Sequence, residues 1–302
     1  MDHTVWILTI LLVTVALGFT ATYMTRAVAR SVGFVAKPRA ERWHRRPTAL
    51  AGGVGIFLAF VPAMAYFREW PLLIGAGAMF LIGLVDDIFQ LKPYAKLAGQ
   101  LLVAGMTVAL GPTLPWTPFP IVNQAISLFW IIGITNAVNL LDNMDGLSAG
   151  VATVVALFLS IFALQQGQLA LAGTSAALAG ALLGFLAFNW NPASIFMGDC
   201  GSLFLGYSLA ILALHQTYGR SRSILIIITA PVLVMLVPIF DTTFVTLTRI
   251  LRGRPVSQGG RDHTSHRLVT LGLSERVAVT TLMAVSALGG GIALSARVGF
   301  RA

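Results

Sequence analysis

The sequence predicts an all-α, polytopic integral membrane protein of about ten transmembrane helices, and three observations lead there. Of its 302 residues, 57% are hydrophobic and only 10% charged, where a soluble domain carries about 25% charged residues. The mean hydropathy is +0.84. Uncharged apolar runs recur along the whole chain, many close to the roughly 20 residues a helix needs to cross a bilayer. This composition excludes an ordinary soluble enzyme, a disordered chain and a nucleic-acid binder, despite a formal net charge of +9. One cysteine excludes a disulfide framework and a cysteine zinc site.

The spans follow in order. Val5–Met24 is preceded by Met1-Asp2-His3-Thr4, which lacks a basic stretch, and is followed by Arg26 and Arg30. It reads as a retained span with its N-terminus outside rather than a cleaved leader. Leu50–Phe67 contains Ala51-Gly52-Gly53-Val54-Gly55, a pattern of close helix packing that fits no dinucleotide fingerprint. Pro71–Val85 runs into Asp86-Asp87. Neighbours on a helix diverge by ~100°, so both face one ligand only if the helix stops there, which Gln90 and Pro93 favour. Leu97–Leu114 is next, then Ile121–Leu141 with Asn136, Asn139 and Asp142 at steps of three. Asn139 and Asp142 would share a face, as part of a site or equally as a hydrogen-bonded interhelical clasp.

Between Asp145 and Asp199 lie 53 uncharged residues, which Gln165-Gln166-Gly167-Gln168 divides into Gly146–Leu164 and Leu169–Phe188. Gly201–Tyr218 follows, with Cys200 read as an inert buried thiol and His215 as structural. Ser223–Ile239 is the ninth span; Asp241 at its cytoplasmic end is read as a brace for the carboxylate cluster. Val277–Ala296 is the tenth, with Gly289-Gly290-Gly291 again read as packing. None of these runs alternates at period two, as barrel strands would. Residues 1–302 form one transmembrane catalytic domain on this reading.

Fifteen of the twenty Lys and Arg residues fall in the loops after spans 1, 3, 5, 7 and 9. The positive-inside rule places those loops in the cytoplasm and both termini outside. Nine of the eleven acids collect on that same side; only Asp2 and Glu69 do not. Acids contribute little to topology, so their clustering is a separate signal. Asp86, Asp87, Asp142 and Asp199 stand where apolar helix meets loop, positions where a carboxylate is costly unless hydrated, paired or bound to a cation. Any single one could be a solvated loop acid; the set at several helix ends suggests a site. Oxygen-only donors suit Mg²⁺, with Mn²⁺ as a substitute, rather than zinc or iron. The polar stretch from Gln258 to Arg267 adds Arg261, His263, His266 and Arg267, donors suited to phosphate oxygens. Metal, phosphate and membrane together suggest phosphoryl transfer to or from a lipid.

Five segments carry a family likeness: Arg42-Trp43-His44 with Pro47-Thr48 and Gly52-Gly53; Gly83-Leu84-Val85-Asp86-Asp87; Asn136 to Gly146; Phe196-Met197-Gly198-Asp199-Cys200-Gly201-Ser202; and Asp262-His263-Thr264-Ser265-His266-Arg267. In order, on one predicted side of the membrane, they resemble the polyprenyl-phosphate N-acetylhexosamine-1-phosphate transferases. That resemblance implies transfer of HexNAc-1-phosphate, GlcNAc-1-phosphate above all, from a UDP-N-acetylhexosamine to undecaprenyl phosphate with release of UMP. It implies a metal held by Asp199 and Asn139, and a uracil ring lying against Gly146 and Phe196 with Asp145 at its edge. Lys96 is similar to the family's pyrophosphate-binding lysine. Catalytic roles fall to Asp86, Asp87, Lys96, Asp142, His263 and His266, and substrate contacts to His44, Asp145, Gly146, Phe196, Arg261 and Arg267. The setting implied is a bacterial inner membrane, with a homodimer left open.

Two positions depart from the family pattern: Ala36-Lys37 replaces an Asp before Pro38, and Gln90 stands where some relatives carry a third Asp. Two alternatives remain. A phospho-MurNAc-pentapeptide translocase would share fold and metal, but resembles its kin in a run of consecutive histidines that His263-Thr264-Ser265-His266 lacks. An ion-coupled transporter would place its acids near the bilayer midplane, where only Asp241 approaches.

Overall fold

The computed structural model describes residues 2–36, 47–111, 113–114, 116–216, 224–255 and 260–299. His44 lies outside them, as does the rest of its Arg-rich segment. The described chain is helical apart from a two-residue antiparallel pair, β1 (Val35–Ala36) with β2 (Thr48–Ala49), in which Val35 faces Ala49 and Ala36 faces Thr48.

Among the described residues, seven helices are long and apolar enough to cross a membrane. They are α1 (His3–Ser31), α3 (Trp70–Phe89), α5 (Pro120–Leu141), α6 (Leu147–Gln165), α7 (Leu169–Asn189), α8 (Gly198–Gln216) and α12 (Glu275–Gly299). The expected second and fourth spans are α2 (Gly52–Tyr66) and α4 (Pro93–Leu110). Prolines at the first or second position start α3, α4 and α5, where the missing N–H costs nothing. Gln166 caps α6 and the left-handed Gly167 turns the chain into α7, as the polar break requires.

α6, α7 and α8 are the most buried spans. α1 and α2 pack against α7, α3 and α5 against α8, and α12 against α6. The apolar side chains left exposed, among them Leu12, Leu102, Ile121 and Phe129, face outward, as a lipid-facing surface requires. The Gly52-Gly53 reading holds: a Cβ on Gly53 would collide with the Gly201 backbone, so α2 and α8 touch there.

Three expectations change. The span Ser223–Ile239 is not one helix but two: α9 (Ile224–Val234) and α10 (Leu236–Leu251), which meet at Met235. Pro238 has no N–H to give Val234, and its ring crowds that carbonyl, so the helix breaks one turn earlier. α10 then runs on past Asp241 to Leu251. α5 stops at Leu141, making Asp142 its C-cap, so Asn139 and Asp142 do not share a helical face. The Arg/His stretch is partly a helix, α11 (Thr264–Thr270), begun by His263 at its N-cap.

Candidate active site

Two helix ends and one helix start build the first half of the site. α3 stops at Phe89 because Gln90 turns left-handed (φ 53°), and Asp86 Oδ1 accepts the Leu91 N–H at 2.7 Å to hold that turn. The chain then re-enters α4, whose first turn carries Lys96 back over Asp86. Lys96 Nζ lies 2.9 Å from Asp86 Oδ2 and 3.0 Å from Asp199 Oδ1. It also donates to Asn139 Oδ1 at 3.4 Å. Asn139 Nδ2 donates to Asp199 Oδ1 and, at 2.7 Å, to Ser202 Oγ. Side chains from α3, α4 and α5 thus gather at Asp199, at the start of α8.

Asp87 plays a different part from its neighbour. Its two oxygens accept the backbone N–H groups of Asp199 at 2.8 Å and Cys200 at 3.0 Å. It caps α8 from another helix, satisfying donors that the first turn leaves orphaned. Left-handed Gly198 (φ +75°) makes the approach feasible, since a Cβ there would sit 2.7 Å from Asp87 Oδ2. Gly83, one turn before Asp87, meets the Asp199 carbonyl so closely that any Cβ would collide with it. Two carboxylates, Asp86 and Asp199, flank one ammonium, leaving a formal surplus of one negative charge. Among the described residues no three His, Cys, Asp or Glu side chains gather as a metal-binding group.

The second half hangs from α10. His263 Nδ1 is 2.7 Å from Asp241 Oδ2, and the Thr264 N–H donates to Asp241 Oδ1 at 2.7 Å. Arg249 grips Asp262 with two bonds of 2.7 Å, the bidentate geometry that makes Arg–carboxylate pairs strong. This holds the Asp262 carboxyl down to about 2. His266 is pushed down to about 4, first by burial and then by the positive charge of His263 and Arg261. Ser265 Oγ donates to Asn143 Oδ1 at 2.6 Å, tying this loop to the end of α5 four residues beyond Asn139. Arg249, Arg252, Arg254, Arg261 and Arg267, with Asp262, line a cavity of about 490 Å³. Arg267 lies with its guanidinium 4.5 Å from the Phe244 ring. This face is built for anions.

Asp145, Gly146 and Phe196 frame a third corner. Asp145 Oδ2 accepts the Ala193 N–H at 2.8 Å, and Gly146 donates its N–H to Asn189 Oδ1 at 3.1 Å in the left-handed conformation (φ +75°). Phe196 is pinned by its backbone between Ala49 and Gly52.

Residues 70–217 match the model of glycosyl transferase family 4. A protein of Bacillus subtilis (strain 168) named a probable undecaprenyl-phosphate N-acetylglucosaminyl 1-phosphate transferase is 35% identical over 276 residues, 86% of this chain and 76% of its own length. The chain belongs to glycosyl transferase family 4.

Another relative of this family 4 chain is the decaprenyl-phosphate N-acetylglucosaminephosphotransferase of Mycobacterium tuberculosis (strain H37Rv). It is 32% identical over 298 residues, 85% of this chain and 74% of that one. A phospho-N-acetylmuramoyl-pentapeptide-transferase of Thermoanaerobacter sp. is 37% identical over 190 residues, covering 55% of this chain and 60% of its own. With these bacterial relatives and its apolar helices, the family 4 chain is a multi-pass protein of a bacterial inner membrane.

The structure brings Asp86, Lys96, Asn139 and Asp199 into one bonded group. It assembles Arg261, His263, His266 and Arg267 around α11. Asp241 does not brace the carboxylate cluster, as its position in sequence suggests; it holds the histidine loop instead. Sequence reasoning also missed Ser202, Asn143 and the Arg249–Asp262 pair as site-building residues. The one signal for the last was an Arg eight residues beyond a buried Asp on a helix otherwise free of charge.

Proposed function

We propose that this protein transfers HexNAc-1-phosphate, GlcNAc-1-phosphate first of all, from a UDP-N-acetylhexosamine to undecaprenyl phosphate, releasing UMP. This would be a first membrane step in making a cell-envelope polysaccharide. The observation that carries the reading is the Asp86–Lys96–Asp199–Asn139 group with its surplus of one negative charge, together with an arginine-lined cavity. The Bacillus and Mycobacterium relatives, matched over 86% and 85% of this chain, are named as N-acetylglucosamine phosphate transferases acting on a polyprenyl phosphate. The pentapeptide transferase covers only 55% of the chain, so the GlcNAc reading is preferred. By the distribution of basic residues, the site faces the cytoplasm and both termini lie outside.

The donors fit Mg²⁺. It binds hard oxygens, tolerates one or two carboxylates, and fills its shell with water and substrate phosphates rather than needing a closed protein cage. Asp199 and Asn139 would hold it, and Asp86 is the next carboxylate to hand. When bound, it would neutralise charge on the pyrophosphate and on the departing phosphate. The lipid phosphate has its second pKa near ~6, so it is already largely dianionic and needs little activation. Its oxygen bonds to the β-phosphorus as the bond from that phosphorus to the α-phosphate oxygen breaks, and the electron pair leaves with UMP. Lys96 and Arg267 would screen the approach of one anion to another. Asp86 orients Lys96, and Asp87 holds Asp199 in place.

Purified protein with undecaprenyl phosphate and Mg²⁺ should release UMP from one member of a panel of UDP-HexNAc donors. No release from any of them would overturn the reading. Direct transfer further requires that labelled UMP not exchange into UDP-HexNAc when endogenous lipid phosphate has been stripped away. Exchange under those conditions would indicate a phosphosugar-enzyme instead.

A further inference from the structure

Asp241 sits within α10 at 2% exposure, and both its oxygens are engaged by the next segment of chain. Oδ2 faces His263 Nδ1 and Oδ1 takes the Thr264 N–H, each at 2.7 Å. A carboxylate so deep in an apolar helix is costly unless its charge is answered. An ionised carboxylate only accepts, so Nδ1 must carry a proton whether His263 is neutral or charged. Nε2 is then the ring nitrogen left for other contacts, and no described residue bonds to it. The His266 ring centroid lies 6.2 Å from that of His263.

We propose that Asp241 is a positioning residue for the transfer: through Nδ1 it fixes the ring plane of His263 and backs its imidazolium form, in which the Nε2–H is the histidine donor to the substrate's phosphate oxygens. This rests on the transferase reading above. His263 is thereby a charged donor backed by a carboxylate.

The substitution Asp241→Asn tests the tautomer directly. The Thr264 N–H still demands an acceptor, so the amide oxygen stays there and the amide NH₂ turns to His263. Nδ1 must then present a lone pair, so the ring keeps a proton at Nε2 alone and loses its positive charge. The change is isosteric and keeps the tie to Thr264.

The experiment uses the full chain in nanodiscs with ¹⁵N-labelled histidine, the His263 signals being assigned with His263→Gln. Wild-type protein should show a protonated Nδ1, and Asp241→Asn should show Nε2 protonated and Nδ1 bare. In UMP-release assays Asp241→Asn should lower kcat on the order of 10²-fold while KM for the UDP-sugar stays within about threefold. Asp241→Glu, which keeps an acceptor-only group, should recover part of the loss. Asp241→Asn with His263→Gln should be no slower than His263→Gln alone, because residues acting as a unit are not additive. A bare Nδ1 in wild-type protein, unchanged kcat in Asp241→Asn, or losses that multiply in the double variant would each overturn the proposal. The spectrum is read without turnover, so a wild-type protein that releases no UMP counts against the transferase reading alone.

Discussion

Lys96 stands between Asp86 and Asp199, and Asp199 Oδ1 is shared by Lys96 and Asn139. Replacing Asp199 with Asn keeps the shape but removes the charge and puts an amide NH₂ among donors. Turnover should fall by about 10²–10³-fold with thermal unfolding in detergent little changed; UMP release at saturating donor checks it. His266 gives a pH signature of its own. Its folded value of about 4 lies below the 6.5 of a free histidine, so the unfolded chain takes up the proton first. Its contribution to stability is therefore complete above pH 6.5, falls with pH, and is gone by about 4, a loss of at most about 3 kcal/mol. Asp262, held down to about 2 by Arg249, loses its contribution only below the ordinary carboxylate range. Unfolding followed from pH 7 to 4 should show the upper loss, and His266→Gln should flatten it.

At the scale of elements, the site depends on how closely α3 lies on α8. Gly83 lets the backbones touch at the Asp199 carbonyl, and Asp87 caps the first turn of α8 across the same contact. Gly83→Ala should push Asp199 away from Lys96, costing about 1–3 kcal/mol as overpacking usually does and slowing turnover. Asp87→Ala should cost a similar ~1–3 kcal/mol by orphaning two N–H groups, with Asp87→Asn milder because one oxygen remains. Thermal unfolding of both variants beside wild type measures this. The turn at Gln90 was legible from Pro93 and the polar residues before it. The break at Met235 was not, because Pro231 and Pro238 sit in an unbroken apolar run and only the backbone path decides which carbonyl loses its partner.

For the whole molecule, the bias of basic residues predicts an orientation that labelling can test. Cys200 is fully buried, so an engineered cysteine would stand out. Thr4→Cys should react with an impermeant maleimide on intact cells, and Ser274→Cys only after permeabilisation; the reverse pattern would invert the topology. Hydropathy alone determined that the chain is a helical membrane protein, and acid clustering at helix ends pointed to the residues of the site. Those are local properties, written in the period and charge of each segment. Which carboxylate does what was settled only by tertiary structure. Asp86 and Asp87 are identical neighbours in sequence, yet one binds Lys96 and the other caps α8, because α3 ends between α4 and α8. Asp241 looked like a partner of the other acids and proved to belong to His263. A side chain's role depends on what lies across from it, and for these residues that neighbour is 10 to 113 positions away along the chain.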